Sequence, residues 1–249
     1  MDAEKYRATR DLPPAALTGW RDALAPHLPR HPTILDVGAG TGGFAAAFTC
    51  WFGARVLAVE PDAARRALIP PGIRALDGVA EHLPVPDGCA DLAWFGSVLH
   101  HLDDLDAAAR ETRRALRPGG RVAFRNVFPG HGGADLRVRH FPETERHIDT
   151  YPSVHRVEEA FAQAGFTRLD LRTITHTAAP TLAEYAATLD RASDSKLRAL
   201  TDDEYERGMA RLRAAYPHTP ALSGMTLLLL GQPAEPRTEG PRRRSAPAQ

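Results

Sequence analysis

The chain has 249 residues, 43% of them hydrophobic and 25% charged, with a formal net charge of zero; that length buries a sizeable core in one large or two small domains. Balanced charge leaves no electrostatic footprint for nucleic acid or a membrane surface, so neither is expected as a partner. Cys50 and Cys89 are the two cysteines, and they lack metal-ligand spacing and fit a reducing compartment.

The opening residues MDAEKYRATRDLPP carry acids and no apolar stretch, unlike a signal peptide. No apolar run approaches the ~18 residues of a spanning helix, and a cytoplasmic setting is the expectation. Residues 1–32 read as a helical lead-in, with a helix over 15–28 closed by Pro29 and Pro32. From Thr33 onward, strand-like and helical runs alternate, which predicts a parallel sheet. Strands are expected at Thr33–Val37, Arg55–Val59, Ile73–Leu76, Ala90–Phe95 and Gly120–Asn126. Helices are expected at Gly42–Phe52, Pro61–Leu68 and Leu105–Leu116, the last capped by Asp103 or Asp104 and stopped at Arg117-Pro118-Gly119-Gly120.

Residues 127–153 are rich in Gly, Pro and charge, which predicts a long irregular loop or lid. A helix over Val154–Ala164, a strand over Thr167–Thr177, a helical insert at 180–216 and a last strand, Gly224–Gly231, complete a domain over 33–231. Residues 232–249 have no apolar anchor and read as a disordered tail.

The chemistry is concentrated in ILDVGAGTGG, residues 34–43. Gly38, Gly40 and Gly43 spell the dinucleotide fingerprint G-x-G-x-x-G, whereas Gly38, Gly40 and Gly42 spell a nucleoside loop. Both place backbone amides close to a ligand at a strand-to-helix turn. Asp36 favours the second, because a dinucleotide loop follows an apolar strand end. A buried carboxylate there is costly unless it orders the loop or meets a cationic ligand tail. Glu60, ending the second strand, suits the two hydroxyls of a ribose.

These residues resemble the class I S-adenosylmethionine-dependent methyltransferases, in their small-molecule branch. Asp36-x-Gly38-x-Gly40-x-Gly42 is similar to the first cofactor motif, and Val59-Glu60-Pro61-Asp62 to the ribose acid and following helix. GVAEHLPVPDGCADLAWFGSVLHHLDD looks like the adenine loop, fourth strand and next helix, and ALRPGGRVAFRN like the turn into the fifth strand. The resemblance spans roughly Thr33 to Asn126. It implies a Rossmann-like α/β fold, a seven-stranded, mostly parallel sheet with helices on both faces and an antiparallel last strand. It further implies S-adenosyl-L-methionine as cofactor, S-adenosyl-L-homocysteine as product and a small-molecule methyl acceptor. The cofactor would be held by Asp36, Gly38, Ala39, Gly40, Gly42, Glu60, Pro61, Asp77, Ala80, Glu81 and Phe95. Val79 stands where many relatives carry an aspartate, so adenine falls to the Ala80 backbone and to Asp77 or Glu81.

Methyl transfer from a sulfonium is an in-line displacement that needs alignment and exclusion of water. An acceptor that must lose a proton also needs a base, and histidine titrates in the useful range. His100 and His101 lie just past the fourth strand, at the sheet edge where α/β folds bind ligands. They are the catalytic candidates, against a plain packing role beneath the next helix. His131, His140, His147 and His155 read as solvated loop or helix residues, and no spacing supports a metal site. Acceptor contacts are sought in Tyr6, Trp20, Trp94, Phe95, Arg125, Asn126, Arg137, Arg139, Phe141, Tyr151, Tyr185 and Tyr205. Two alternatives remain from sequence: a protein that binds S-adenosylmethionine without transferring the methyl group, and an NAD-dependent oxidoreductase. The second requires an apolar residue at position 36 and a separate substrate domain.

Overall fold

The computed structural model describes residues 14–216 and 218–233. Seven strands form one sheet: β1 (Thr33–Val37), β2 (Arg55–Val59), β3 (Arg74–Leu76), β4 (Ala90–Gly96), β5 (Leu116–Asn126), β6 (Thr167–Ala179) and β7 (Ala221–Gly231). Their order is β3-β2-β1-β4-β5-β7-β6. Strands β1 to β5 run parallel, and β7 runs antiparallel to both β5 and β6. The chain therefore has the mostly parallel α/β sheet expected from its alternation, closed by an antiparallel last strand.

Period-two alternation sends the side chains of each strand to opposite faces. Leu35, Val37, Phe95 and Phe124 face one side and pack against α4 (Leu105–Ala115) and α7 (Val154–Gln163). Ile34, Leu92, Trp94 and Ala123 face the other, against α1 (Thr18–Leu24) and α2 (Gly43–Phe52). Helix α4 shows how the sequence selects this layering. The Asp104 side chain accepts from the Ala107 amide at 2.9 Å, and Leu105, Ala108, Ala109, Thr112 and Ala115 bury one helical stripe.

The boundaries differ from expectation where a local contact intervenes. The helix expected over Pro61–Leu68 is reduced to α3 (Ala63–Arg66), whose start is fixed by the Asp62 side chain accepting from the Ala64 and Arg65 amides. Strand β5 starts at Leu116 opposite Ala90, and its register breaks before a continuous ladder from Arg121. Residues 127–153 are more ordered than their composition suggests. They hold α5 (Leu136–His140), a 3-10 turn at Pro142–Thr144, and α6 (Glu145–Ile148). The described part of the lead-in is a 3-10 turn at Pro14–Leu17, then α1 and a second turn at Ala25–His27. Tyr6 and residues 234–249, most of the expected tail, lie outside the described residues.

Two features position the site. Asn126, the last residue of β5, pairs with Thr226, so Ala221–Met225 pair with β6 alone. This two-stranded ribbon overhangs the carboxyl ends of the parallel strands by about 17 Å at ~3.4 Å per residue. At its tip, residues 180–220 fold as α8 (Leu182–Thr188), α9 (Ser195–Arg198) and α10 (Asp202–Ala214). Leu182, Leu197, Leu200, Met209 and Leu212 pack there with Leu136 and Phe141 into a small core of their own. Gly208 sits within α10 because a Cβ at that position would overlap the Phe141 ring.

Candidate functional site

Strand β1 ends in a turn that only glycine fits. Gly38, Gly40 and Gly42 have φ of +68°, +58° and +83°, in the left-handed region that side chains disfavour. A Cβ on Gly38 would also overlap Val98, and one on Gly42 would crowd Pro70. The Gly38 and Ala39 amides donate to the Val59 carbonyl at 2.8 and 3.0 Å, tying the loop to the end of β2. Glu60 then clamps it from below. Its Oε2 accepts from the Gly40 amide at 2.8 Å, and its Oε1 accepts from the Asp62 amide at 3.0 Å. Each carboxylate oxygen has two lone pairs, so one on each remains for a ligand hydroxyl.

Asp36 is 2% exposed and points to the α2 face of the sheet. Its Oδ2 has no hydrogen-bond partner among the described residues. Burial, reinforced by the neighbouring Glu60 charge, pushes its pKa up to about 7, while the Ala45 amide in the first turn of α2 pulls it down. An unmatched carboxylate oxygen beside an open glycine cradle is what a cationic group on a ligand would complete.

Past the loop a cavity of about 630 Å³ runs over the α2 face of the sheet toward the ribbon and the insert. Its floor takes one face of successive strands: Asp36 from β1, Trp94 and Gly96 from β4, Arg125 from β5, Met225 from β7 and His176 from β6. Arg125 lies over the rings of Trp20 and Phe44 at 5.5 and 5.4 Å, and its Nη1 donates to Ser97 Oγ at 3.1 Å. Ser97, with φ of +61°, is one of two non-glycine residues in the left-handed region among the described residues. On the far wall, Arg137 donates to both oxygens of Asp135, at 3.0 and 3.1 Å, and to Asp194 Oδ2 at 2.7 Å. Burial alone would raise the Asp135 pKa, but Arg137 and Lys196 hold it below the ordinary range.

The two candidate histidines separate. His100 lines the cavity and stacks on Tyr151, with ring centroids 4.5 Å apart, whereas His101 is exposed and contacts the His100 ring at 4.0 Å. Several expected cofactor contacts have other occupations. Phe95 is fully buried on the opposite face, stacked on Phe124 and edge-on to Phe161, so its side chain belongs to the core. Glu81 accepts from the Asp103 and Asp104 amides at 2.9 and 3.3 Å, ordering the entry to α4. Asp77 is exposed and pairs with Arg66 at 3.2 Å, and the Pro61 carbonyl accepts from the same arginine at 3.0 Å. Ala80 is buried in the core, and the Val79 side chain is exposed.

Among the acceptor candidates, Trp94, Arg125, Asn126, Arg137, Tyr151 and Tyr185 line the cavity. Trp20 and Phe141 are fully buried, Tyr205 stacks on Phe141, and Arg139 is exposed. His131 is exposed, and His155 pairs with Glu159 at 3.1 Å on the surface of α7. His147 meets Tyr151 edge-on, and burial lowers its pKa and that of His140. His176, Ser97 and Lys196 also line the cavity, although no sequence motif marks them. For His176 a signal was present: it follows Ile174 by two residues, on the same inward face of its strand.

The strand order, the glycine turn and the acid below it define a Rossmann-like α/β fold with a glycine cradle at the carboxyl end of β1. A family model described as a methyltransferase domain matches residues 35–124, about a third of the chain. Malonyl-acyl-carrier-protein O-methyltransferase of Methylococcus capsulatus is 32% identical over 151 residues, covering 57% of this chain. The match spans 54% of that relative's length. A crystal structure from Anabaena variabilis, provisionally described as a methyltransferase from an antibiotic biosynthesis pathway, superimposes with a TM-score of 0.69 at 21% identity. It covers 90% of this chain and 99% of its own. The geranyl diphosphate C-methyltransferase of Streptomyces coelicolor, solved with S-adenosyl-L-homocysteine, gives a TM-score of 0.55 at 18% identity, covering 86% of this chain and 76% of its own. At such identities the two structures speak for the fold alone.

Among the described residues no helix is long and apolar enough to cross a membrane, and no cluster of side chains has the make-up of a metal site.

Proposed function

We propose that the chain transfers a methyl group from S-adenosyl-L-methionine to a small-molecule acceptor held in the cavity beyond the glycine loop. The observation that carries the reading is the pairing of an open glycine cradle with the unmatched Oδ2 of buried Asp36. A dinucleotide offers no ammonium to that oxygen; the amino-acid tail of S-adenosylmethionine does. Gly38, Ala39, Gly40 and Gly42 receive the nucleoside and its tail, Glu60 the ribose hydroxyls, and the backbone at Val79–Ala80 the adenine. When bound, the cofactor supplies an electrophilic methyl carbon on a sulfonium, a good leaving group.

The chain's residues provide the rest. The walls formed by the ribbon and insert exclude water and align the acceptor. His100, facing the cavity, takes up the acceptor's proton or orients its nucleophile, while His101 supports it from the surface side. A cytoplasmic setting belongs to the same reading, supported by Cys50 and Cys89 as free thiols.

Calorimetric titration with S-adenosylhomocysteine, alongside NAD in both redox states, tests the reading. Micromolar binding of the first alone is the expected result. Binding of the dinucleotide instead would overturn the cofactor assignment and the mechanism with it. Cofactor binding without formation of S-adenosylhomocysteine across a broad acceptor screen would favour a non-methylating protein.

A further inference from the structure

His176 stands on the overhanging ribbon, opposite Ser223 on β7. It is 8% exposed and lines the cavity, and its Nδ1 is buried without a hydrogen-bond partner among the described residues. A buried imidazole nitrogen is normally matched, so one left open toward a cavity invites a ligand atom. Three charged groups face it: Arg125 from β5, Arg137 from α5 and Asp135 from the turn before α5. Asp135 is spent on Arg137, whose backbone amide and guanidinium both donate to it. Arg137 also pairs with Asp194, which Lys196 approaches at 3.6 Å, so that cluster is largely balanced and Arg125 leaves the field at the imidazole net positive. Burial first, then Arg125 and Arg137, push its pKa down to about 4 against the smaller pull of Asp135. A neutral imidazole in a positive field is complemented by an oxygen bearing negative charge.

Position sets what that oxygen can be. In the sheet order His176 is four inter-strand spacings from Asp36, on the order of 20 Å at ~4.8 Å each, and it lies a further six residues along β6 from Asp170, the residue level with Asp36. A group at His176 is thus an anchor remote from the glycine loop, not the reacting atom.

Resting on the methyl-transfer reading of this cavity, we propose that the acceptor is an organic acid whose carboxylate is held between His176 and Arg125. His176 is then a specificity-determining residue that positions the acceptor's far end. Ser223, its cross-strand neighbour, lines the cavity floor beside it. A bound carboxylate favours the imidazolium, so binding takes up a proton at mildly acidic pH.

The test uses the full chain saturated with S-adenosylhomocysteine and titrated with matched acid and amide pairs. These are 4-hydroxybenzoate with 4-hydroxybenzamide and 4-hydroxycinnamate with its amide. Each titration is run at about pH 5.5 and about pH 7.5, in two buffers of different ionisation enthalpy. At the lower pH at least one acid should bind about tenfold or more tightly than its amide, with proton uptake, and the preference should narrow at the higher pH. His176→Leu should abolish both the preference and the proton uptake. Arg125→Met should reduce the preference; Arg125 packs on two aromatic rings, so His176→Leu carries the test if that variant misfolds. Equal affinities for acids and amides, absence of binding by either acid, or unchanged proton uptake in His176→Leu overturns the inference and leaves methyl transfer standing. Failure to bind S-adenosylhomocysteine itself removes both.

Discussion

Asp36→Asn should move two free energies in opposite directions. Without cofactor the carboxyl is 2% exposed and its pKa is pushed from 3.8 to about 7. A rise of about three units corresponds to about 4 kcal/mol between the two protonation states. The folded chain prefers the protonated form, so Asp36 exacts no penalty below its unfolded pKa of about 3.8. Stability is then lost as pH rises toward about 7, at about 1.4 kcal/mol per pH unit, and levels off above that. An asparagine cannot ionise. The variant should therefore match the parent near pH 4 and exceed it by about 4 kcal/mol near pH 8.

Urea unfolding followed by tryptophan fluorescence, at about pH 4, 6 and 8, reads this difference directly; Trp20 and Trp94 lie buried on the same face as Asp36. The same substitution removes the carboxylate proposed to meet the cofactor's ammonium. S-adenosylhomocysteine should then bind at least tenfold more weakly, about 1.4 kcal/mol. A stability difference that does not grow with pH would refute the burial argument. A variant that gains stability and binds as tightly as the parent would refute the assignment of Asp36 to a cationic tail.

Glu60→Gln offers an amide nitrogen where an acceptor is needed, so one of the Gly40 and Asp62 amides loses its partner. Calorimetry should show at least tenfold weaker binding of S-adenosylhomocysteine, and thermal unfolding a loss of about 1–3 kcal/mol. Gly208→Ala should destabilise by about 1–3 kcal/mol because the new methyl overlaps the Phe141 ring. Helix propensity alone predicts a gain of about 1 kcal/mol for that change, so the sign of the shift in Tm decides between the two effects.

The glycine turn and its buried acid are legible in the sequence because their physics is local. Left-handed turns demand glycine at 38, 40 and 42, and a lone acid ending an apolar strand advertises itself. The direction of a side chain was harder to read where every residue of a strand is buried. Trp94 and Phe95 are adjacent and equally apolar, yet Trp94 opens on the cavity and Phe95 closes into the core. Glu81 and Asp77 were the right residue types near the expected adenine site, but nearby amides and Arg66 claim them. His176 carries no local motif because its surroundings come from β5 and α5, distant in sequence. The segment 127–153 read as irregular because its helices are a single turn or little more, too short for periodicity to show.

The insert leaves the sheet at Ala179 and returns at Ala221, and these two residues are register partners on adjacent strands. Its ends are therefore as close as the ends of a hairpin turn, and its core is largely separate from the two that flank the sheet. A piece of chain held in this way can be exchanged or lost without repositioning a single β-strand, leaving Leu136 and Phe141 as the main surface to cover again. On the proposed reading, the far wall of the acceptor cavity is thus one contiguous cassette, separable from the glycine loop that lies well over a hundred residues earlier.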